Sequence, residues 1–191
     1  ALSVARDKPG TTVFGCPETI SQIALVPGIK PIPVTNLADA IRVLTGESKP
    51  ERIQPLPDVS TYSATGLEEV IGQRLACRSM EVAAAGGHHI LLSGPPGVGK
   101  TMLARGLPAL LPPLSDQQAL EVCALRDASV TTRTGIDRRP PFVSPHHSTT
   151  LVAMVGGSLG GMLRPGQVSL AHHGVLFLDE APEFSRGALE A

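Results

Sequence analysis

The sequence is short of cysteine, of long apolar runs and of net charge, and each shortage excludes a class of protein. Its three cysteines, Cys16, Cys77 and Cys123, are widely spaced, odd in number and without a CxxC pair. This spacing argues against both a disulfide framework and a zinc ribbon, and it favours a reducing cytoplasmic location. No apolar run approaches the roughly 20 residues of a membrane span, and no basic-then-apolar signal opens the chain. We therefore expect no membrane partner.

The charge balance gives no global field for attracting nucleic acid. The formal net charge is −1 over 191 residues, of which 42% are apolar, enough for a packed globular core. A local basic surface is still possible, because four arginines cluster in the second half of the chain against one nearby acid, Asp137. These arginines are Arg133, Arg138, Arg139 and Arg164.

The most specific motif is HILLSGPPGVGKT, residues 89–101. Its apolar start, residues 90–92, predicts a buried parallel strand, and the G-x-x-x-x-G-K-T spacing after it predicts a phosphate-binding loop that opens a helix. Lys100 is expected to reach the β and γ phosphates of ATP, and the Thr101 hydroxyl to coordinate Mg²⁺. The expected nucleotide contacts are Gly94, Pro95, Pro96, Gly97, Val98, Gly99, Lys100, Thr101 and Met102.

A second site motif is GVLFLDE, residues 174–180. Residues 175–178 predict another buried strand, and Asp179 falls at its carboxyl end, where α/β sheets place their ligands. Asp179 is therefore expected to be the metal-side acid and Glu180 the catalytic base, with Lys100 as the second catalytic residue. The structural alternative is a strand followed by acidic turn residues. A base next to the metal acid favours hydrolysis over phosphoryl transfer.

The remaining segments predict structure rather than chemistry. Residues 1–47 alternate strand, helix, strand and helix, and Asn36 and Gly46 are the expected caps of the second helix. Residues 48–64 are proline-rich and indicate a linker. A helix is expected over residues 73–85, a second from Lys100 to about Gly106 because Pro108 follows, and a third after a Ser115–Gln118 capping box. Residues 131–166 form a long insertion that ends in an apolar helix and GGSLGG.

All six histidines come in adjacent pairs, of which His146–His147 and His172–His173 lie in the second half. Adjacent side chains on an extended chain point to opposite sides, and no cysteine or acid sits at ligand spacing. Capping and loop hydrogen bonds are therefore favoured over zinc. His146 and His147, which follow a proline, could instead contact a partner subunit or a nucleic-acid phosphate.

Together, GPPGVGKT, PPFVSPHHSTT with MVGGS, and RPGQVSLAHHGVLFLDEAPEFS resemble the magnesium-chelatase-like AAA+ ATPases of the ComM and YifB type. The resemblance covers essentially the whole chain. It implies an α/β P-loop core with a parallel sheet and a helix-2 insertion over residues 65–191, truncated after the second site motif. Residues 1–47 resemble the C-terminal part of a Lon-protease-like domain.

The resemblance also implies a function. It implies that residues 94–101 bind ATP, that Asp179 serves Mg²⁺ and that Glu180 is the hydrolytic glutamate. It further implies that the full-length protein is a homo-oligomeric ring, a hexamer, which remodels DNA as a branch-migration helicase. One alternative is a chelatase-type motor that acts on a protein partner, although the N-terminal module weighs against it. Another is an inactive truncated fragment that lacks the sensor, arginine-finger and lid residues.

Overall fold

A computed structural model describes residues 7–54, 66–127, 136–159 and 161–190, which form a mixed α/β structure. None of the helices in these ranges is long and apolar enough to cross a membrane. In chain order the strands and helices are β1 (Thr11–Gly15), α1 (Pro17–Ile23), β2 (Ile29–Pro33), α2 (Leu37–Thr45), α3 (Arg74–Gly86), α4 (Lys100–Leu110), α5 (Asp116–Asp127), β3 (Phe142–Val143), α6 (Leu151–Val155), β4 (Gly156–Leu159), β5 (Met162–Pro165), α7 (Gln167–Leu170), β6 (Val175–Leu176) and α8 (Arg186–Leu189).

The N-terminal segment has the predicted strand–helix–strand–helix order. β1 and β2 pair in parallel, and α1 crosses between them. The predicted caps of α2 are present: the side-chain oxygen of Asn36 accepts a hydrogen bond from the Asp39 N–H at 2.9 Å, and Gly46 is left-handed at φ +80°. The apolar face of α2 is largely exposed. Ala40 is the only buried residue of this helix, whereas Leu37 is 77% exposed and Leu44 is 70% exposed.

The helix boundaries near the phosphate loop agree with the prediction at the end of α3 and the start of α5, but not at the end of α4. α3 ends at Gly86, one residue after the predicted end, and the left-handed Gly87 is its C-cap. The Ser115–Gln118 capping box precedes α5, with reciprocal backbone-to-side-chain hydrogen bonds of 2.9 and 3.3 Å. The predicted end of α4 near Gly106 is wrong. Pro108 lies inside α4, because the φ that proline imposes is helical, and the helix stops only where Leu111 is extended before Pro112.

The sheets are smaller than the predicted parallel core. β3 pairs with β6 in parallel, while residues 90–92 belong to no strand among the described residues, and Leu91 is 87% exposed. The buried strand predicted before the loop is therefore wrong here. An apolar run becomes a strand only when a neighbour supplies a hydrogen-bond ladder, which the run itself cannot specify. The second predicted strand, residues 175–178, forms a ladder only at Val175–Leu176.

The predicted insertion contains ordered structure. Thr150 caps the expected apolar helix α6 by accepting a hydrogen bond from the Ala153 N–H at 3.2 Å. After it, β4 and β5 form an antiparallel hairpin from the GGSLGG segment, which the sequence did not predict. Residues 55–64 of the predicted linker, and Arg133, lie outside the described residues.

A buried apolar cluster links the N-terminal segment to α5. Its members come from the end of α1, from α5 and its approach, and from the segment before β3: Val26, Leu114, Ala119, Leu120, Val122 and Ile136. The burial of these aliphatic side chains is the main favourable term that holds the elements together. This cluster therefore packs α5 against the segment between α1 and β2 and against the segment before β3.

Candidate nucleotide-binding site

The phosphate loop has the backbone that its glycines allow. Gly97 and Gly99 have φ values of +80° and +89°, in the left-handed region that costs other residues about 1–2 kcal/mol. Gly99 is the N-cap of α4, so the unpaired N–H groups of the first helical turn lie directly after the loop. The Gln73 side chain donates a hydrogen bond to the Val98 carbonyl at 3.3 Å and ties the loop to the start of α3.

Lys100 folds back across this loop. Its ammonium nitrogen donates hydrogen bonds to the carbonyl oxygens of Gly94 at 2.8 Å and Pro95 at 2.9 Å. An ammonium group has three donors. The loop carbonyls thus position the positive charge over the loop, and two of its donors are used there.

Thr101 and Asp179 meet, although 78 residues separate them in the chain. The Thr101 hydroxyl donates a hydrogen bond to the Asp179 carboxylate at 3.0 Å, and both residues are half-buried. Thr101 occupies the first turn of α4, and Asp179 follows β6. The fold therefore brings the two predicted metal residues together as a hydroxyl and a carboxylate oxygen, the hard donors that Mg²⁺ prefers.

Glu180 has surroundings different from those of Asp179. It has φ +53°, a left-handed conformation that is rare outside glycine, and its N–H donates to the Asp179 carboxylate at 3.1 Å. Its side chain lines an open cleft of about 370 Å³ with His147, Pro182 and Glu183. The two acids therefore have different surroundings: Asp179 contacts α4, and Glu180 faces a cleft shared with the insertion.

The other predicted loop contacts lie at the surface. Pro95 and Pro96 are exposed, and Met102 is exposed on α4. Val98 is half-buried and its carbonyl is held by Gln73. Hydrogen bonds thus join Lys100 to Gly94 and Pro95, and Thr101 to Asp179.

The predicted basic surface is largely engaged in ion pairs. Arg138 donates two hydrogen bonds to Asp116, and Arg139 donates two side-chain hydrogen bonds to Asp137 at 2.8 Å. Asp137 is only 8% exposed. Burial raises its pKa, but the hydrogen bonds from Arg139 and the charges of Arg139 and Arg126 outweigh burial, so the pKa is lowered overall. These arginines stabilise the segment before β3, whereas Arg164 on β5 is exposed.

The histidine pairs divide into two kinds. His146 lies 2.8 Å from the Ser148 hydroxyl, which is the expected loop hydrogen bonding. His172 and His173 instead both contact Glu121 of α5. The expectation that adjacent histidines point to opposite sides is therefore wrong for this pair, whereas the absence of an acid at local ligand spacing holds along the sequence and does not exclude a distant one. His173 has φ +56°, which turns both rings to one side, and Glu121 lies 51 residues before His172, beyond any local spacing signal.

Comparisons with known proteins agree with the motifs. The model of the family described as magnesium chelatase, subunit ChlI, matches residues 66–191. A protein of Mycobacterium tuberculosis is 47% identical over 91% of this chain and 35% of its own length. The YifB protein of Escherichia coli is 43% identical over the whole chain and 38% of its length. The competence protein ComM of Haemophilus influenzae is 42% identical over 82% of the chain and 31% of its length.

The matches cover most of this chain but only part of each relative. The family model covers more than half of this chain, while the chain spans only about a third of the length of the relatives. The chain belongs to the magnesium-chelatase-like family that includes YifB and ComM.

Proposed function

We propose that this chain binds ATP with Mg²⁺ through residues 94–102 and Asp179, as the nucleotide-binding part of an AAA+ ATPase. The observation that carries the proposal is the 3.0 Å hydrogen bond between Thr101 and Asp179. Two residues so distant in sequence meet at the mouth of a glycine-rich loop, where a helix begins. Such a loop favours a polyphosphate, and the two oxygen donors fit its magnesium ion.

Each group has a distinct task in this proposal. Lys100, held by loop carbonyls, donates its remaining N–H to a phosphate oxygen, and the first turn of α4 adds backbone N–H groups. Thr101 and Asp179 hold Mg²⁺, which neutralises phosphate charge when bound. Glu180 accepts a proton from the attacking water, and its exposure in the cleft with His147 leaves it open to that water.

The magnesium dependence of ATP affinity tests the proposal on this chain. We expect the wild-type chain to bind ATP more tightly when Mg²⁺ is added, in calorimetric titrations with and without the ion. Asp179→Asn keeps a hydrogen-bond acceptor for Thr101 but removes the charge, so most of that gain should disappear. Asp116→Asn removes a comparable charge away from the loop and should retain the gain. An equal gain in wild type and Asp179→Asn would contradict the role of Asp179.

For the whole protein, the proposed activity is ATP-driven remodelling of DNA by a homo-oligomeric ring, a hexamer. The support is the membership of the family with ComM, whose name is that of a competence protein, and the hairpin of β4 and β5, on which Leu163 and Arg164 are exposed. Arg164 on that hairpin is the candidate phosphate contact, because Arg138 and Arg139 are engaged by carboxylates.

DNA binding across a range of salt concentrations tests this part. In a protein spanning the length of its relatives, Arg164→Ala should weaken DNA binding and reduce the salt slope by about one counterion. Arg78→Ala, which removes an exposed arginine paired with Glu81 on α3, is the matched control. If the salt dependence of DNA binding were unchanged in Arg164→Ala, Arg164 would not contact DNA.

A second candidate is a chelatase-type motor that acts on a protein partner. The description of the matching family model, a magnesium-chelatase subunit, favours it. The same DNA titration separates the two: a ring that hydrolyses ATP, binds no DNA and is stimulated by a protein partner would support the chelatase-type function instead. A full-length protein without nucleotide affinity would support the inactive alternative.

A further inference from the structure

Three potential metal ligands converge outside the nucleotide site. Glu121 of α5 and the adjacent His172 and His173 each offer one atom, and these atoms lie within 4.8 Å of one another. The Glu121 carboxylate oxygen is 3.3 Å from Nε2 of His172 and 2.8 Å from Nε2 of His173. Each of the three side chains is between a quarter and a half exposed, so the cluster is open to solvent.

The backbone of the turn before β6 produces this convergence. His173 is left-handed at φ +56°, so both imidazoles lie on one side of the chain, with ring centroids 3.9 Å apart. The next residue, Gly174, packs against Pro141, where a Cβ would overlap the carbonyl oxygen. The Val175 N–H donates to the same carbonyl at 2.8 Å. The turn is thus fixed to β3 on one side and presents both histidines to α5 on the other.

The donor set matches a divalent transition metal. Two imidazoles and a carboxylate are a ligand set that zinc uses with a water in the fourth position. Two ligand atoms that each lie about 2.0–2.1 Å from a tetrahedral zinc ion are about 3.4 Å apart. The 3.3 Å distance from the Glu121 oxygen to Nε2 of His172 already fits this value. The 2.8 Å distance to Nε2 of His173 must increase by about 0.5 Å.

We propose that Glu121, His172 and His173 bind a Zn²⁺ ion at a site separate from the proposed magnesium site. Its imidazole ligands select zinc and similar metals over Mg²⁺, which prefers oxygen donors. The bound ion ties α5 to the turn that leads into β6, the strand that Asp179 follows. The site therefore braces the strand from its amino end, while the nucleotide is held at its carboxyl end.

Cobalt and zinc titrations of the nucleotide-free chain test the site. Co²⁺ gives visible absorption bands when it binds with tetrahedral geometry, and calorimetry measures Zn²⁺ affinity directly. We expect one equivalent to bind to the wild-type chain. Glu121→Gln, His172→Ala and His173→Asn should each weaken binding at least about tenfold. Asparagine is chosen at position 173 because it tolerates the left-handed backbone, and circular dichroism should confirm that the variants fold.

Two control proteins make the result specific. His88→Ala/His89→Ala removes another adjacent pair and should bind zinc like the wild type, as should Asp179→Asn, which separates this site from the magnesium site. The proposal is overturned if the wild-type chain binds neither ion, if Glu121→Gln binds zinc as tightly as the wild type, or if either control loses the site.

Discussion

The two ends of β6 are each tied to a helix by a contact distant in sequence, but the two contacts differ in what they offer a ligand. At the carboxyl end, Asp179 accepts a hydrogen bond from Thr101 of α4, next to a glycine loop and a lysine. At the amino end, His172 and His173 contact Glu121 of α5. The first end combines hard oxygen donors with a glycine-rich loop, and the second has imidazoles without one.

Under these two proposals, one short strand positions two unlike sites. β3 and β6 share a two-residue ladder, extended by the Phe177 N–H bond to the Val143 carbonyl at 2.8 Å. Phe142 and Phe177 stack across this pair with ring centroids 6.0 Å apart. Changes at the carboxyl end should alter nucleotide chemistry, and changes at the amino end should alter metal binding and stability.

The largest expected effect is on ATP hydrolysis. In a protein that spans the length of its relatives, Glu180→Gln should lower the rate of phosphate release about 100-fold or more, because an amide cannot accept the proton of the attacking water. Glu183→Gln changes another carboxyl group of the same cleft and should keep the rate within a few-fold. If Glu180→Gln hydrolysed ATP at the full rate, Glu180 would not be the catalytic base.

Nucleotide affinity should change next most. Lys100→Ala removes the charge that the loop holds over its carbonyls and should weaken ATP binding by about 10- to 100-fold, since hydrogen bonds to charged groups contribute about 1.5–3 kcal/mol. Calorimetry on this chain measures the change. Lys30→Ala, on the N-terminal strand β2, should bind as the wild type does. Equal affinity of Lys100→Ala and wild type would contradict the phosphate-loop interpretation.

Stability should depend on the acid that anchors the segment before β3. Asp137→Asn leaves Arg139 without its carboxylate and should lower the free energy of unfolding by about 1–3 kcal/mol at pH 7, measured with urea. The folded-state pKa of Asp137 is lowered, so its contribution is complete above the unfolded pKa and disappears as the pH falls through the folded value.

Asp116, an acid that is more exposed than Asp137, provides the comparison for this measurement. Asp116 pairs with Arg138 but its side chain is 52% exposed, so Asp116→Asn should cost less than about 1 kcal/mol. The two variants should also differ with pH, because only the loss in Asp137→Asn should be substantial at neutral pH and vanish in acid. Equal losses for both variants would show that burial does not strengthen the Asp137 pair.

The smallest effect should come from Glu121→Gln without metal. The carboxylate is about one-third exposed, so the free energy of unfolding should fall by less than about 1 kcal/mol. ATP affinity should stay within twofold of the wild type in the same calorimetric titration. A large loss of ATP affinity would mean that the two ends of β6 are coupled rather than independent.

The sequence predicts the features that short-range hydrogen bonds set, and it is wrong at two elements of the fold. The caps at Asn36, Gly46 and Ser115 follow from short-range hydrogen bonds, so they were predictable. The strand expected at residues 90–92 was wrong, because strand formation needs a paired neighbour. The end of α4 was wrong because Pro108 is compatible with helical φ, and the extended residue before Pro112 decides the stop.

The order of neighbouring residues predicts the family, the glycine loop with its left-handed turns, and the residue types that can bind phosphate and magnesium. These can be read from the sequence because backbone conformation and motif spacing are local properties. The folded chain adds three contacts: Thr101 meets Asp179, carboxylates engage Arg138 and Arg139, and Glu121 joins the two histidines. Such contacts arise when packing around α5 and β6 brings distant segments together, and no local pattern encodes that distance.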